Sequence, residues 1–257
     1  MFNNLYPKFN RGRILKTEML DLLRDYPRDF IDLYYQDYGD GIIAGAEIKV
    51  QSESLIVSPG IVLYQGRIYM MKESVSLDYG VTNREAAVKI RFLEEESGSD
   101  LITYRTAIVL EEQAGAAVPE LELGRFKLKE GARLRQDYQS FSDMATEYNT
   151  LNILNVPYAA PGKSTLSPVI LQSFASSMLH SGSDDPRDFY FAMMCLNEGV
   201  LARDAIQHYI AARMDADIPS LTNEQMHKYL GRILAGARGR RGRTPMQAGG
   251  KQRVIVD

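Results

Sequence analysis

Tryptophan is absent from this chain and cysteine occurs once, at Cys195. A single thiol excludes an intramolecular disulfide framework and suits a cytosolic site of synthesis. Its neighbours form an apolar stripe with Leu196, where a buried, inert thiol is the expected state. Long hydrophobic runs are missing too. No stretch approaches the roughly 20 apolar residues of a spanning helix, and the opening MFNNLYPKFNRGR has no signal-peptide core, so no membrane is expected among the partners. Histidine is scarce: His180, His208 and His227 fall on three different expected helices, with no close ligand pair among them. No metal or other cofactor is therefore expected. An excess of one charge is also lacking, with 30 basic against 33 acidic residues. That balance hides an asymmetry. From Gly236 to Asp257 there are six basic residues and one acid, a tail of +5, which leaves −8 on the body of a chain of formal charge −3.

The stretch from Tyr38 to Met71 sets the fold class. Short apolar runs alternate there with Gly and Pro at the spacing of a tight antiparallel meander. A first strand is expected from Ile42 to Val50 and a second over Leu55, Ile56 and Val57. After the corner at Pro59 and Gly60, a third carries Ile61 to Tyr64. The polar pair Gln65-Gly66 then turns the chain back through Arg67 to Met70. Further on, Ala86 to Leu93 and Leu101 to Leu110 read as a hairpin around Ser97-Gly98-Ser99, and Leu121 to Leu128 as one more strand. Six or seven strands result.

On either side the period changes to that of helices. Thr17 can cap a short helix carrying Met19, Leu20 and Leu23, and Pro27 fits the first turn of a second, carrying Phe30, Ile31, Tyr34 and Tyr35. In the last third, Leu166, Ile170, Phe174 and Met178 step by four. Asp185-Pro186 opens the next helix, expected to turn Phe189, Met193, Leu196 and Val200 inward. A break at Gly199 precedes a helix with Ala205, Ile206, Tyr209 and Ile210. Thr222 with Gln225 forms a capping box, closed by the staple of Leu221 and Met226, and that helix is expected to stop at Gly236.

The expected class is α+β: an antiparallel β meander or sandwich domain with N-terminal helices and a C-terminal small helical bundle. Its parts are an arm and helices over 1–41, the β domain over 42–131, a connector over 132–165, a helical domain over 166–236 and a basic extended arm over 237–257. The connector shows no clear period, and a structureless segment of that length inside a domain points to an undetected element or to packing along a partner.

Candidate chemistry is thin. Gly162-Lys163-Ser164 has the ending of a phosphate-binding loop, but Pro157 stands where the first glycine should be and lacks the N–H that such a loop aims at phosphate. Gly39, Gly41 and Gly45 miss the dinucleotide spacing by one residue and precede a strand instead of following one, so they read as turn and bulge positions. Neither a catalytic residue nor a small-molecule substrate is indicated. Partner-binding features are better supported. Tyr34, Tyr35 and Tyr38 cluster as at an interface. Arg238, Arg240, Arg241 and Arg243 form a basic segment able to meet either nucleic-acid phosphate or an acidic neighbouring copy. Val254, Ile255 and Val256 could add a strand to an exposed sheet edge. The acidic body shows no basic face or stacking platform, so the protein partner is favoured over nucleic acid.

The runs GDGIIAGAEIKV and LIVSPGIVLYQGRIYMM, with LRDYPRDFIDLYYQDYG before them, resemble a pattern of structural proteins from tailed phages and phage-like contractile tail particles. In those proteins it belongs to β domains of baseplate or tail-fibre-associated subunits. The resemblance implies a non-enzymatic subunit, made in a bacterial cytoplasm and incorporated in a virion or phage-like particle, whose partners are other baseplate or tail subunits in multiple copies.

Overall fold

The computed structural model describes residues 2–82, 84–112, 119–215 and 219–240, the last three by backbone alone. It is α+β, with five α-helices and three small antiparallel sheets among these residues. Helix α1 (Thr17–Tyr35) precedes nine strands: β1 (Gly41–Gly45), β2 (Ile48–Val50), β3 (Ser54–Val57), β4 (Gly60–Tyr64), β5 (Arg67–Met71), β6 (Val75–Asp78), β7 (Ala86–Ser97), β8 (Ile102–Glu111) and β9 (Glu120–Phe126). A 3₁₀ turn at Phe141–Ala145 leads to α2 (Pro168–Ser181), α3 (Pro186–Asn197), α4 (Arg203–Met214) and α5 (Asn223–Arg240).

The meander is split between two sheets. β1, β4 and β5 form one sheet and β2, β3 and β6 another, so the β2–β3 hairpin leaves the first sheet between β1 and β4. The expected strand over 42–50 breaks because Gly45 and Ala46 both take left-handed backbone angles, φ +61° and +54°. A side chain on Gly45 would collide with the Pro59 carbonyl, and one on Gly60 with the Ala46 amide. The two corners therefore cross in contact, and the Ala46 N–H donates to the Pro59 carbonyl at 3.1 Å. Gln65 and Gly66, at φ +48° and +71°, make the two-residue turn between β4 and β5, with the paired positive φ values that such a hairpin favours.

The third sheet, in the order β8-β7-β9, packs on the first through Tyr64 stacked on Phe92 at 3.8 Å. Leu55, Val57, Val88, Leu121 and Phe126 fill this β core. The helical core is separate and centres on Leu166, Ile170, Phe174 and Met178, all buried; the last three lie on the face expected of α2, whereas Leu166 precedes the helix and its cap. Ser167 caps α2 at 3.3 Å and Gly182 ends it in the left-handed region. The segment 132–165, read as a connector, holds the 3₁₀ turn and joins the cores. Leu134, Leu151 and Val156 enter the β core, whereas Phe141, Met144 and Leu154 enter the helical one. Its Asp143 receives Arg135 at 2.6 Å and the Gln139 N–H at 2.9 Å, which hold this carboxyl well below the usual range.

Three helical expectations need correction. The N-terminal pair is one continuous helix in which Thr17 is the first helical residue, Lys16 holds the cap position without a side-chain bond, and Pro27 lies inside. On α3, Phe189, Met193 and Leu196 are exposed, and Asp188, Phe191, Ala192 and Cys195 are buried. Residues 189–196 are apolar without a break, so no period could choose the face. Asp188 chooses it. Its carboxylate accepts from Arg213 Nε at 2.6 Å, from the Tyr209 hydroxyl at 2.7 Å and from Ser183 Oγ at 2.5 Å. A buried charge must find such partners. Helix α5 begins at the expected capping box, with Thr222 and Gln225 bonded reciprocally at 2.8 and 3.2 Å, but it continues past Gly236 to Arg240.

Candidate interaction surface

Helix α1 has no buried residue along its 19 positions. Met19, Leu23, Tyr26, Phe30 and Leu33 recur at spacings of four and three, one face of a helix, and Leu20, Pro27 and Tyr34 widen it. Phe30 is 63% exposed, Leu33 66% and Tyr34 58%. Residues 2–15 before it add exposed Phe2, Leu5, Tyr6, Phe9 and Ile14. Charges occupy the opposite face as local pairs, Arg24 with Asp21 and Asp25, and Arg28 with Asp32.

Among the described residues the helix is fastened at its C-terminal end. Phe30 stacks on Tyr34 at 6.1 Å, and Tyr34 and Tyr35 both contact Tyr38, at 6.2 and 5.0 Å. Of the expected tyrosine cluster, Tyr34 is exposed, and Tyr35 and Tyr38 are half-buried. Tyr38 bridges to Pro161, the Gly39 N–H donates to the Ala160 carbonyl at 2.9 Å, and Gly162 N–H donates to the Asp37 carbonyl at 2.7 Å. A Cβ on Gly39 would collide with the Ser164 amide, so this glycine is required by close approach. The same contacts dispose of the phosphate-loop motif: residues 161–164 are packed against the root of α1. An open groove of about 790 Å³ lies between α1 and the edges of β5 and β8, lined by Arg28, Ile31, Arg67, Met70, Tyr104 and Thr106.

A second apolar patch lies on α3, where Phe189 (61% exposed), Tyr190, Met193 and Leu196 are exposed; Tyr190 also lines a hollow of about 410 Å³ against α4. Sequence reasoning missed it by placing three of these four inside. Of the basic segment, Arg238 and Arg240 fall at the end of α5, with side chains beyond the description. Arg241, Arg243, Val254, Ile255 and Val256 lie outside the described residues.

Groups that could do chemistry are held in structural contacts. His227 stacks on Phe141 at 4.3 Å and donates from Nε2 to the Phe141 carbonyl at 2.9 Å, and burial lowers its pKa. His180 lies 2.6 Å from the Ser176 carbonyl in its own helix. Burial pushes the Cys195 thiol up to about 12, far from the range of a reactive cysteine. Among the described residues no group of three or more His, Cys, Asp or Glu could hold a metal ion, and no helix is long and apolar enough to cross a membrane.

The arrangement defines a protein with large exposed apolar surfaces on a well-packed body. No protein-family model matches the chain, and no curated protein matches it. Among solved structures it is similar to one titled "Crystal structure of TssK", at 11% sequence identity and a TM-score of 0.42, over 91% of this chain and 71% of that one.

Proposed function

We propose that this chain is a structural subunit of a phage or phage-like contractile tail baseplate, which holds neighbouring subunits without catalysis. The observation that carries the reading is α1. A helix in a protein draws most of its stability from packing of its apolar face, and a proline in its interior costs about 3 kcal/mol. A helix with Pro27 at its centre and nothing buried needs a covering partner to be worth forming. Each large apolar side chain that a neighbour covers contributes about 1.5 to 3 kcal/mol. The resemblance of residues 38–71 to baseplate and tail-fibre-associated proteins supplies the kind of neighbour.

The test is a chain carrying both Leu23→Asp and Phe30→Asp. Neither residue is buried in the isolated molecule, so the variant should melt within about 1 °C of the parent, surface substitutions being worth under roughly 0.5 kcal/mol. It should nonetheless fail to enter heavy, sedimenting particles in the cells that make the protein. Normal entry of the variant would refute the reading.

A further inference from the structure

The third sheet ends in an edge strand that is long and poorly defended. β8 has ten residues and among the described residues pairs only with β7, so one row of its backbone N–H and C=O groups faces away from the sheet. Edge strands invite pairing with another chain unless charges, prolines or bulges blunt them. β8 has no proline, Arg105 is the only charged residue between its ends, and the one register shift in its pairing is carried by β7, between Phe92 and Glu95. Ile102 is 60% exposed, and Leu101 just before it 75%. At the open end of this edge, residues 94–105 contain four acids (Glu94, Glu95, Glu96, Asp100) and one base (Arg105), a net −3. Further along, Tyr104 and Thr106 line the groove beneath α1, which leaves room beside the strand.

We infer that the β8 edge receives residues 241–257 of a second copy of this chain, adding Val254, Ile255 and Val256 as a further strand. Two features select this occupant. The segment carries Arg241, Arg243, Lys251 and Arg253 against Asp257, a net +3 that mirrors the −3 beside the edge. The described helix ends at Arg240, and the 17 residues beyond it span at most about 56 Å when extended. Backbone pairing would supply affinity and the opposed charges would set register. α5 packs chiefly on α2 and α4 in the helical core, which favours exchange between copies. This inference rests on the assembly role proposed above.

The experiment mixes two full-length chains, one carrying Thr106→Cys and the other Ile255→Cys, under mild oxidation; the native Cys195 is buried. A mixed disulfide should form several-fold more than between Ile255→Cys and Gln172→Cys, an exposed position on α2. It should fall to the control yield in high salt, which screens exposed charges, or when Glu94, Glu95 and Glu96 are changed to lysine. A yield equal to the control, or one indifferent to salt and to charge reversal, overturns the inference. If the disulfide fails while the Leu23 and Phe30 variant still loses particle entry, only the tail assignment falls and the assembly role stands.

Discussion

At the scale of single residues, a few buried polar groups fix what hydrophobicity leaves open. Asp188 ties α3 to α4 through Arg213, Tyr209 and Ser183. Removing one partner of a buried ion pair costs about 3 to 5 kcal/mol where it strands the other, and about 3 kcal/mol is expected here, because Arg213 keeps Asp185 at 3.0 Å. Asp188→Ala should therefore lower the unfolding free energy by that amount in urea titrations, with an unchanged denaturant slope. Burial lowers the His227 pKa from an ordinary value near 6.5. Its contribution to stability is complete above that value and is lost as pH falls below it toward the folded pKa. The melting temperature should drop between about pH 7 and pH 5, and His227→Gln, which can still bond the Phe141 carbonyl, should flatten that slope. A second loss belongs to Asp185, which Arg187 holds down to about 2. Being depressed, it stabilises above about pH 4, and that stability disappears as pH falls through 2.

At the scale of elements, legibility followed the strength of local signals. The α2 face, the cap and proline opening α3, the capping box of α5 and the Gln65-Gly66 hairpin were readable because each depends on neighbours in sequence. The split of the meander was not, since the crossing of Gly45 and Ala46 over Pro59 and Gly60 is a contact between corners 14 residues apart. The inward face of α3 is hidden by its uninterrupted apolar run, and Asp188, buried in the structure, is the one clue that the sequence offers. Pro27 is an efficient helix opener, so the sequence alone points to two helices in place of α1; in the structure the proline is tolerated in the interior. Pro27→Ala restores a donor to the Leu23 carbonyl, so it should deepen the helical circular dichroism signal while leaving the cooperative unfolding of the body in place.

At the scale of the whole molecule, the candidate surface was only partly legible. The tyrosines at 34, 35 and 38 were found from clustering, but the reach of the surface over the whole of α1 and residues 2–15 follows from burial, which sequence does not report. Two packed cores bridged by residues 132–165 form a firm body, and α1 projects from it on one fastened end. Such an element should gain its order from a neighbour. The most direct measurement is amide hydrogen exchange of residues 17–35 in the isolated chain and in particles recovered from the producing cells. Rapid exchange is expected in the isolated chain and strong protection in the particle, with α2 protected in both. Equal exchange of α1 in the two states, or α1 as protected as α2 in the lone chain, would contradict that expectation.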